Sequence, residues 1–453
     1  MLKKILIANR GEIALRIIRA AKEVGIATVA IYSEADEPSL HVRFADESIC
    51  IGPSSPTESY LKPSTIIAAA EVCGADAVHP GYGFLAEDPS FAEICEAHNL
   101  IYVGPKPEHI RAMGDKILAK ETARKVNVPT IPGSSSDIDT IKTAKRLCGE
   151  IGYPVMLKAA AGGGGRGMRI ANDESELMST YPLARAEALA AFGDDRIYIE
   201  KLITKARHIE VQIIGDGKGG VVHLGERECS IQRRHQKLIE ESPSPGVDAK
   251  LRKAICESAV NLASGIKYRS AGTVEFLLDD HHKFYFMEMN TRIQVEHPVS
   301  EMVTGLDIVK EQFNIASDNR LTLTQQDIGF SGHAIECRIN AEDPRRNFIP
   351  VPGEVRFVHL PGGSGVRVDS HMYAGYRIPP FYDSLIAKLI VHDQTRGKTI
   401  KKMRRALQEM VIEGIATTIP FHLALLRDKR FMNGSISIDF LKGFEFKEHN
   451  NED

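Results

Sequence analysis

The sequence predicts a mixed α/β protein, and three observations point to that fold class. Short apolar runs typical of buried strands lie at residues 4–8, 27–32, 76–80 and 100–104. Between the first two runs, residues 11–25 carry apolar side chains at helical spacing and end in glycine. Because strand, helix and strand alternate, this part should form a parallel, doubly wound sheet. From about residue 331 the chain changes to short strands, which adds an α+β part.

The remaining elements follow in order along the chain. A Pro/Gly segment at 129–133 predicts a domain boundary. Apolar runs predict further strands at 208–216, 219–228, 333–340, 353–360, 366–370 and 385–392. A helix is predicted over 396–413, and the short polar tail 447–453 is expected to be disordered. These elements suggest three domains within the 453 residues.

Composition argues against several classes of protein. Hydrophobic residues make up 43% of the chain and charged residues 26%, as in ordinary soluble domains. The formal net charge of −3 argues against a general nucleic-acid binder, which needs a basic excess. No apolar run approaches the ~20 residues of a membrane span, and the apolar stretch near the N-terminus is too short for a signal peptide. Seven scattered cysteines without a CxxC pair predict reduced thiols, with neither disulfides nor a zinc site.

Five glycines fall within six positions in the segment GGGGRG, residues 162–167. Such a run lets backbone approach a ligand closely, and its successive N–H groups can form an anion-binding concavity. Strand-like residues on both sides predict a hairpin flap, and the GxxxxGK[ST] of a Walker loop is absent. Lys158, at the end of the first strand, would reach phosphate. A merely flexible turn is an equally good interpretation of this stretch alone. The GxGxxG fingerprint of a dinucleotide site is also missing after the first strand.

The strongest chemical signal is a pair of apolar strands in GTVEFLLDDHHKFYFMEMNTR, residues 272–292. A two-residue loop at His281-His282 would place Glu275 directly opposite Glu288, with Cβ atoms ~5 Å apart. Facing carboxylates destabilise a hairpin unless they share a cation, and Asn290 projects from the same face as Glu288. Two carboxylates and an amide oxygen suit Mg²⁺. The alternative is a solvent-exposed face without a ligand.

Three further polar segments have open interpretations. If the extended conformation persists beyond Asn290, one row carries Arg292, Gln294 and Glu296, although an ordinary strand edge would look the same. A basic run carries Gln232, His235 and Lys237, but such runs are usually solvated faces. The strand-like residues 198–203 would lie along a purine and offer it backbone polar groups, or would be a strand and nothing more.

Together these segments resemble the biotin carboxylase family of the ATP-grasp superfamily, over essentially the whole chain. The resemblance rests on IANRGEIALRIIRA (7–20), HPGYGFLAE (79–87), GDK (114–116), GGGGRGM (162–168), ERECSIQRRHQKLIEE (226–241), EMNTRIQVEHPVSEMVTG (288–305), HAIECRINAEDP (333–344) and YDSLIAKLI (382–390). It implies an ATP-grasp fold with a Rossmann-like (pre-ATP-grasp) domain at 1–114, an ATP-grasp domain at 115–330 and a C-terminal mixed β domain at 331–446. The lid subdomain would span 132–204 and the glycine flap 162–167.

The resemblance also implies roles for individual residues. ATP would be bound by Lys116, Lys158, Gly164, Gly165, Glu200, Lys201, Leu202, Ile203, His208, Gln232, His235, Glu275 and Glu288. Two Mg²⁺ (or Mn²⁺) ions would be held by Glu275, Glu288 and Asn290. Bicarbonate would bind Lys237, Arg292, Gln294 and the backbone of Val295. The implied catalytic residues are Lys237, Arg292, Glu296 as the general base, and Arg338, which would face biotin.

These roles imply ATP-dependent carboxylation of biotin by bicarbonate through carboxyphosphate. The biotin would sit on a separate biotin carboxyl carrier protein, because the only Lys-Met neighbours lie inside the predicted helix, in KKMRR (401–405). Carboxyltransferase subunits, a homodimer and a cytoplasmic location are further implications. The first half-reaction of acetyl-CoA carboxylase, in malonyl-CoA and fatty acid synthesis, is the leading assignment. Membership of a pyruvate or propionyl-CoA carboxylase is the alternative.

Two other functions compete with this assignment. An acylphosphate-forming ligase of purine synthesis would share the ATP residues, but it has no reason to carry RIQVEHP or ECRIN. A nucleotide-sensing regulatory module would be expected to have lost Glu288, Lys237 or Glu296, and all three are present.

Overall fold

The computed structural model describes residues 2–134, 136–160 and 168–446. The predicted flap glycines, Gly164 and Gly165, lie outside these ranges, as does the predicted tail 447–453. Within the described ranges no helix is both long and apolar enough to cross a membrane.

The N-terminal part is a parallel sheet covered by helices on both faces. Its strands are β1 (Lys4–Ile7), β2 (Ala27–Tyr32), β3 (Glu47–Cys50), β4 (Ala77–His79) and β5 (Ile101–Tyr102), and its helices are α1 (Gly11–Glu23), α2 (Leu40–Phe44), α3 (Pro63–Cys73), α4 (Pro89–Ala97) and α5 (Pro107–Gly114). The spatial order is β3-β2-β1-β4-β5. Ile5 and Ile7 pack in a cluster with α1, whereas Leu6 packs in a cluster with α3. Alternation along β1 therefore buries both of its faces, and the predicted doubly wound sheet is confirmed.

A separate three-stranded sheet carries the segment predicted to be a lid. Helix α6 (Lys116–Lys125) leads into α7 (Ile141–Ile151), β6 (Val155–Ala159), β7 (Met168–Ala171), α8 (Glu174–Phe192) and β8 (Ile197–Lys201). The sheet order is β7-β6-β8, and its side chains form a core of their own with α7 and α8. Lys158 pairs with Met168 in antiparallel register. The two strands that flank the glycine run therefore form the predicted hairpin.

The rest of the chain is richer in strands than in helices. The strands are β9 (Arg207–Asp216), β10 (Val221–Arg233), β11 (Gln236–Ser242), β12 (Arg269–Leu278), β13 (Phe284–Asn290), β14 (His333–Asn340), β15 (Glu342–Asp343), β16 (Ile349–Pro350), β17 (Gly353–Glu354), β18 (Phe357–His359), β19 (Val366–Ser370), β20 (Arg377–Ile378), β21 (Leu385–Asp393) and β22 (Val411–Glu413). The helices are α9 (Ala249–Gly265), α10 (His297–Thr304), α11 (Ile308–Ala316), α12 (Arg396–Glu409), α13 (Ile419–Leu425) and α14 (Lys429–Met432).

Eight of these strands form one sheet, in the order β13-β12-β9-β10-β11-β14-β21-β19. Strand β11 pairs with β14 in antiparallel register. The sheet is thus continuous between strands on either side of residue 330, where the sequence predicts a domain boundary. This continuity brings side chains of β11 and β14 into the same site as those of β12 and β13.

Two predicted elements of the C-terminal part are wrong in detail. The predicted helix over 396–413 ends at Glu409, and residues 411–413 form β22, which pairs with β18. Val411 and Ile412 are β-branched, which favours a strand over a helix, and Gly414 at φ +102° ends it. The single strand predicted at 353–360 is two short strands, β17 and β18, with different partners.

Candidate active site

The β12–β13 hairpin places the two predicted metal-binding carboxylates face to face. Glu275 pairs with Glu288, and Asn290 follows on the same strand. The Asn290 amide donates from Nδ2 to Glu275 Oε1 over 2.8 Å. Lys116 Nζ lies 3.6 Å from Glu288 Oε2, so a predicted ATP-binding lysine sits beside a predicted metal ligand. The hairpin therefore gathers hard oxygen donors and a cation at one edge of the large sheet.

The pairing is as predicted, but the loop that produces it is not. Strand β12 ends at Leu278 and β13 begins at Phe284, so the two-residue loop at His281-His282 is wrong. The N–H of Asp279 donates to the carbonyl of Lys283 over 2.9 Å and closes a turn that is one residue longer. A register shift next to Glu275 adds one residue to β13 and cancels the difference.

Lys237, on β11, is the cation at the centre of the site. Its Nζ lies 2.6 Å from Glu296 Oε1 and 3.0 Å from Glu275 Oε1, and it also contacts Glu210. Burial acts to lower the pKa of Lys237, but the three carboxylates raise it well above its usual value. The ammonium is therefore charged, a state in which it can bind an anion.

The row predicted beyond Asn290 is not a strand. Strand β13 ends at Asn290, and α10 begins at His297 with Glu296 as its N-cap residue. The side chains converge all the same: Arg292 Nη2 donates to Asn290 Oδ1 over 3.0 Å, and Gln294 Nε2 donates to Glu275 Oε1 over 2.9 Å. The carbonyl of Val295 accepts a hydrogen bond of 3.0 Å from Lys388 Nζ. Irregular backbone brings together the side chains that strand alternation was expected to align.

Glu296 is a buried carboxylate between two cations. One oxygen accepts from Lys237 and the other from Arg338 Nη2, over 2.9 Å. Burial acts to raise its pKa, but Lys237 and Arg338 outweigh burial and hold the pKa below its usual value. The N-terminus of α10 also favours a negative charge here. The side chain makes no cap hydrogen bond to α10 and is directed at the two cations. An ionised carboxylate in this position can accept a proton.

Arg338, on β14, is held from both sides. Its Nε donates to Glu240 Oε1 over 2.6 Å, opposite the contact with Glu296. Its carbonyl accepts from Thr418 Oγ1 and His422 Nε2 over 3.0 and 2.7 Å. Burial raises the pKa of Glu240 to about 7, even though Arg338 lowers it. The guanidinium is fixed at the end of the same cluster that contains Lys237.

A second ion cluster lies at the three-stranded sheet. Glu200, only 2% exposed, contacts Lys120 and lies 2.6 Å from Lys158 Nζ. Burial acts to raise the pKa of Glu200, but the two lysines lower it below its usual value. Lys201 donates from Nζ to the carbonyls of Gly152 and Tyr153, so its side chain joins β8 to the segment that leads into β6. Leu202 and Ile203 follow directly after β8.

His208 and Gln232 lie against the β12–β13 hairpin, whereas His235 does not. His208 Nε2 lies 3.0 Å from Glu275 Oε2, and its Nδ1 lies 3.0 Å from Gln232 Nε2. Burial acts to lower the pKa of His208, but Glu275 and Glu210 raise it to about 9. His235 is exposed in the turn between β10 and β11, with φ +65°.

Several residues that contact the predicted site residues are not themselves predicted, among them Glu210, Glu87 and Arg227. Glu210 is fully buried in β9 beneath Lys237. The feature of the sequence that could have indicated Glu210 is an acidic residue inside an otherwise largely apolar strand. Glu87 accepts from Arg292 Nε over 2.8 Å and from the N–H of Thr291 over 3.1 Å. It lies about two hundred residues earlier in the chain, in HPGYGFLAE, and nothing local to that motif reveals the contact.

Three family descriptions match the chain in succession. They are the biotin carboxylase N-terminal domain at residues 1–110, the carbamoyl-phosphate synthase L chain ATP-binding domain at 115–324 and the biotin carboxylase C-terminal domain at 336–443.

Individual proteins match nearly the whole chain. Biotin carboxylase 1 of Bacillus subtilis is 54% identical over 98% of this chain and 99% of its own. A pyruvate carboxylase subunit from Methanothermobacter thermautotrophicus is 52% identical over 97% of this chain and 90% of its own. The biotin carboxylase domain dimer of Hydrogenobacter thermophilus 2-oxoglutarate carboxylase was solved with MgADP, ADP and bicarbonate. It matches with a TM-score of 0.94 at 50% identity, over 98% of this chain and 97% of that one. The chain therefore belongs to the biotin carboxylase family of ATP-grasp ligases.

Proposed function

We propose that this chain uses ATP and bicarbonate to carboxylate biotin carried by a separate biotin carboxyl carrier protein. The observation that carries the proposal is the cluster of Lys237, Glu296 and Arg338, in which a buried carboxylate lies between two fixed cations. Bicarbonate is an anion with a proton to lose, and this cluster offers it a positive charge and a base within one hydrogen-bonded unit.

Magnesium fits the donor set of the hairpin. Glu275, Glu288 and Asn290 supply carboxylate and amide oxygens, which are the ligands that Mg²⁺ (or Mn²⁺) prefers. When bound there, two such ions would neutralise the negative charge of the ATP phosphates. Lys116 and Lys158 would add positive charge on the phosphate side, and Gly164 and Gly165, which lie outside the described residues, would also bind ATP. His208, Gln232 and the backbone at 200–203 would serve the nucleoside.

The chemistry then follows from the positions of the remaining residues. Lys237, Arg292, Gln294 and the backbone of Val295 would hold bicarbonate against the γ-phosphorus. Glu296 takes the bicarbonate proton as the bicarbonate oxygen forms a bond to that phosphorus and the bond to ADP breaks. The product, carboxyphosphate, cleaves to CO₂ and phosphate. Phosphate accepts the N1′ proton of biotin while N1′ bonds to CO₂, and Arg338 stabilises the charge on the ureido oxygen.

The final carboxyl acceptor is a separate part of the proposal. We favour the first half-reaction of acetyl-CoA carboxylase, with carboxyltransferase subunits for partners and a homodimer in the cytoplasm. A role in a pyruvate or propionyl-CoA carboxylase is the alternative, since a pyruvate carboxylase subunit and a 2-oxoglutarate carboxylase domain match at similar identity. Copurification with a carboxyltransferase would decide between them.

One assay tests the enzymatic proposal. ADP release should require both bicarbonate and Mg²⁺, and free biotin should be carboxylated. Glu296→Ala should lower bicarbonate-dependent turnover by about 10²–10⁴-fold, because it removes the base, while nucleotide affinity stays nearly unchanged. Turnover that ignores bicarbonate would reject the proposal in favour of another ATP-grasp ligase, and absence of any ATP turnover would favour a nucleotide-sensing module.

A further inference from the structure

Arg227, on β10, is a fully buried arginine whose donors are all used. Its side chain is 0% exposed. The guanidinium offers five N–H donors and no acceptor. They are taken by Glu210 Oε1 (2.6 Å), Gln212 Oε1 (2.7 Å), Ser300 Oγ (3.0 Å), Thr273 Oγ1 (3.1 Å) and Gln294 Oε1 (2.7 Å). Such a set fixes the plane of the guanidinium and each group around it.

The contact with Gln294 decides which way its amide faces. Since Arg227 can only donate, it can pair only with the amide oxygen of Gln294. The amide nitrogen must then face the opposite side, where Nε2 donates to Glu275 Oε1 over 2.9 Å. Bicarbonate is an anion and needs hydrogen-bond donors. An orientation in which Gln294 offers its amide N–H groups, and not its oxygen, therefore suits the proposed role.

The contact with Glu210 reaches the second predicted bicarbonate residue. One oxygen of Glu210 accepts from Arg227 Nε, and the other accepts from Lys237 Nζ. The carboxylate therefore bridges the two cations, and its position sets that of the Lys237 ammonium. Burial acts to raise the pKa of Glu210, but Lys237 and Arg227 hold it well below its usual value.

We infer that Arg227 is a positioning residue for bicarbonate binding. It does not bind bicarbonate itself, but it orients Gln294 directly and Lys237 through Glu210. The inference rests on the proposed function, in which Gln294 and Lys237 bind bicarbonate. Lysine cannot replace arginine here, since a single ammonium cannot satisfy five acceptors held in a planar arrangement.

The test is Arg227→Lys, which keeps the charge next to Glu210 and loses the fixed geometry. The KM for bicarbonate should rise about tenfold or more, the equivalent of losing one charge-assisted hydrogen bond, while the KM for ATP changes less than about twofold. A matched control is Arg252→Lys. Arg252 lies on α9 and donates to Glu226, a buried carboxylate on β10 next to Arg227. This control should leave both constants unchanged. An unchanged KM for bicarbonate in a folded Arg227→Lys protein overturns the inference.

Two further comparisons distinguish a loss of positioning from misfolding, and a measurement on the wild type tests the proposed function on which the inference rests. The double variant Arg227→Met/Glu210→Gln removes both buried charges. Its KM for bicarbonate should exceed that of the single variant Glu210→Gln, and equal values overturn the inference. In a Gln294→Ala background, Arg227→Lys should add less than it does in the wild type, and full additivity overturns the direct route. A wild-type enzyme whose ATP turnover ignores bicarbonate rejects the proposed function and this inference together.

Discussion

Single residues in the site depend on their neighbours for their charge. Lys237 contacts Glu210, Glu275 and Glu296, three carboxylates that are almost completely buried. Isolated charges of this kind are costly in a protein interior, so the lysine compensates a cluster that would otherwise repel itself. The same contacts keep Glu296 ionised, which its proposed role as a base requires.

Glu288→Gln tests the proposed metal site of the β12–β13 hairpin. The variant removes a proposed ligand of both ions and leaves Glu275 opposite a neutral amide, so turnover should fall on the order of 100-fold and its dependence on Mg²⁺ should weaken. Measurement of rate against Mg²⁺ concentration checks this. Glu257→Gln, on the exposed face of α9, is the control and should match the wild type. Normal turnover of Glu288→Gln at ordinary Mg²⁺ would refute the metal assignment.

Arg338→Gln tests whether Arg338 acts in the carboxylation of biotin more than in the formation of carboxyphosphate. Carboxybiotin formation should fall about 100-fold, because the charge on the ureido oxygen loses its partner. Bicarbonate-dependent ATP hydrolysis should fall less, since Lys237 still contacts Glu296. The two products are measured in the same reaction. Arg377→Gln, at a residue whose side chain is 78% exposed, is the control. Equal losses of both activities would mean that Arg338 serves carboxyphosphate formation or has a structural role.

At the scale of elements, the β12–β13 hairpin shows how a turn and a bulge act together. The turn is one residue longer than predicted, and the register shift beside Glu275 compensates for that residue. Without the bulge, the longer turn would pair Glu275 with Met287 and move Glu288 out of register. The chemistry of the site thus depends on an irregularity in the ladder.

His282→Gly should stabilise this turn. His282 has φ +58°, a left-handed conformation that costs an L-residue with a Cβ about 1–2 kcal/mol. Glycine adopts it without strain, so the free energy of unfolding should rise by up to about 1 kcal/mol after its entropy cost. Denaturant unfolding measures the change. His281→Gly, at the exposed neighbouring position, should lower it instead. A loss of stability in His282→Gly would mean that the imidazole contributes more than the backbone strain costs.

At the scale of the whole molecule, buried ion pairs join distant parts of the chain. Lys388, 0% exposed on β21, lies 3.2 Å from Glu12 Oε2 on α1 and 3.7 Å from Asp369 Oδ2 on β19. It also donates to the Val295 carbonyl. Arg10 makes two hydrogen bonds of 2.6 and 2.7 Å to Asp36 and stacks over Tyr382 at 4.1 Å. The N-terminal sheet and the C-terminal part are therefore tied together beside the site.

The Arg10–Asp36 pair predicts an acid-labile contribution to stability. Burial acts to raise the pKa of Asp36, but Arg10 outweighs it and lowers the pKa from 3.8 to about 2. A lowered carboxyl pKa stabilises the fold above pH 3.8, and that contribution is lost as the pH falls from 3.8 to about 2. The loss should be about 2 kcal/mol. Unfolding free energies of wild type and Asp36→Asn, compared across this range, should converge toward low pH. Parallel curves would contradict the assignment.

Much of this architecture could be predicted because it is written in local patterns. The doubly wound sheet and the hairpin around the glycine run follow from the order and periodicity of apolar residues. The predicted pairing of Glu275 with Glu288 is right only because the longer turn and the register shift beside Glu275 cancel. The helix at 396–413 failed at its end because β-branched residues next to a glycine found a partner in β18, which no local pattern shows. The family resemblance supplied the proposed roles of Lys237 and Arg338. Spacing alone showed only that Lys237 lies in a charged run and Arg338 in a strand.

The sequence by itself determined the candidate residues for the chemistry and most of the elements that carry them, since residue type, periodicity and motif order are properties of one chain read in order. Only the tertiary structure decided how these residues are charged and held. Glu210 lies under Lys237, Glu87 against Arg292 and Arg227 behind Gln294 because segments far apart in sequence lie side by side in the fold. Burial and pairing set charge, and both depend on contacts that are created by folding.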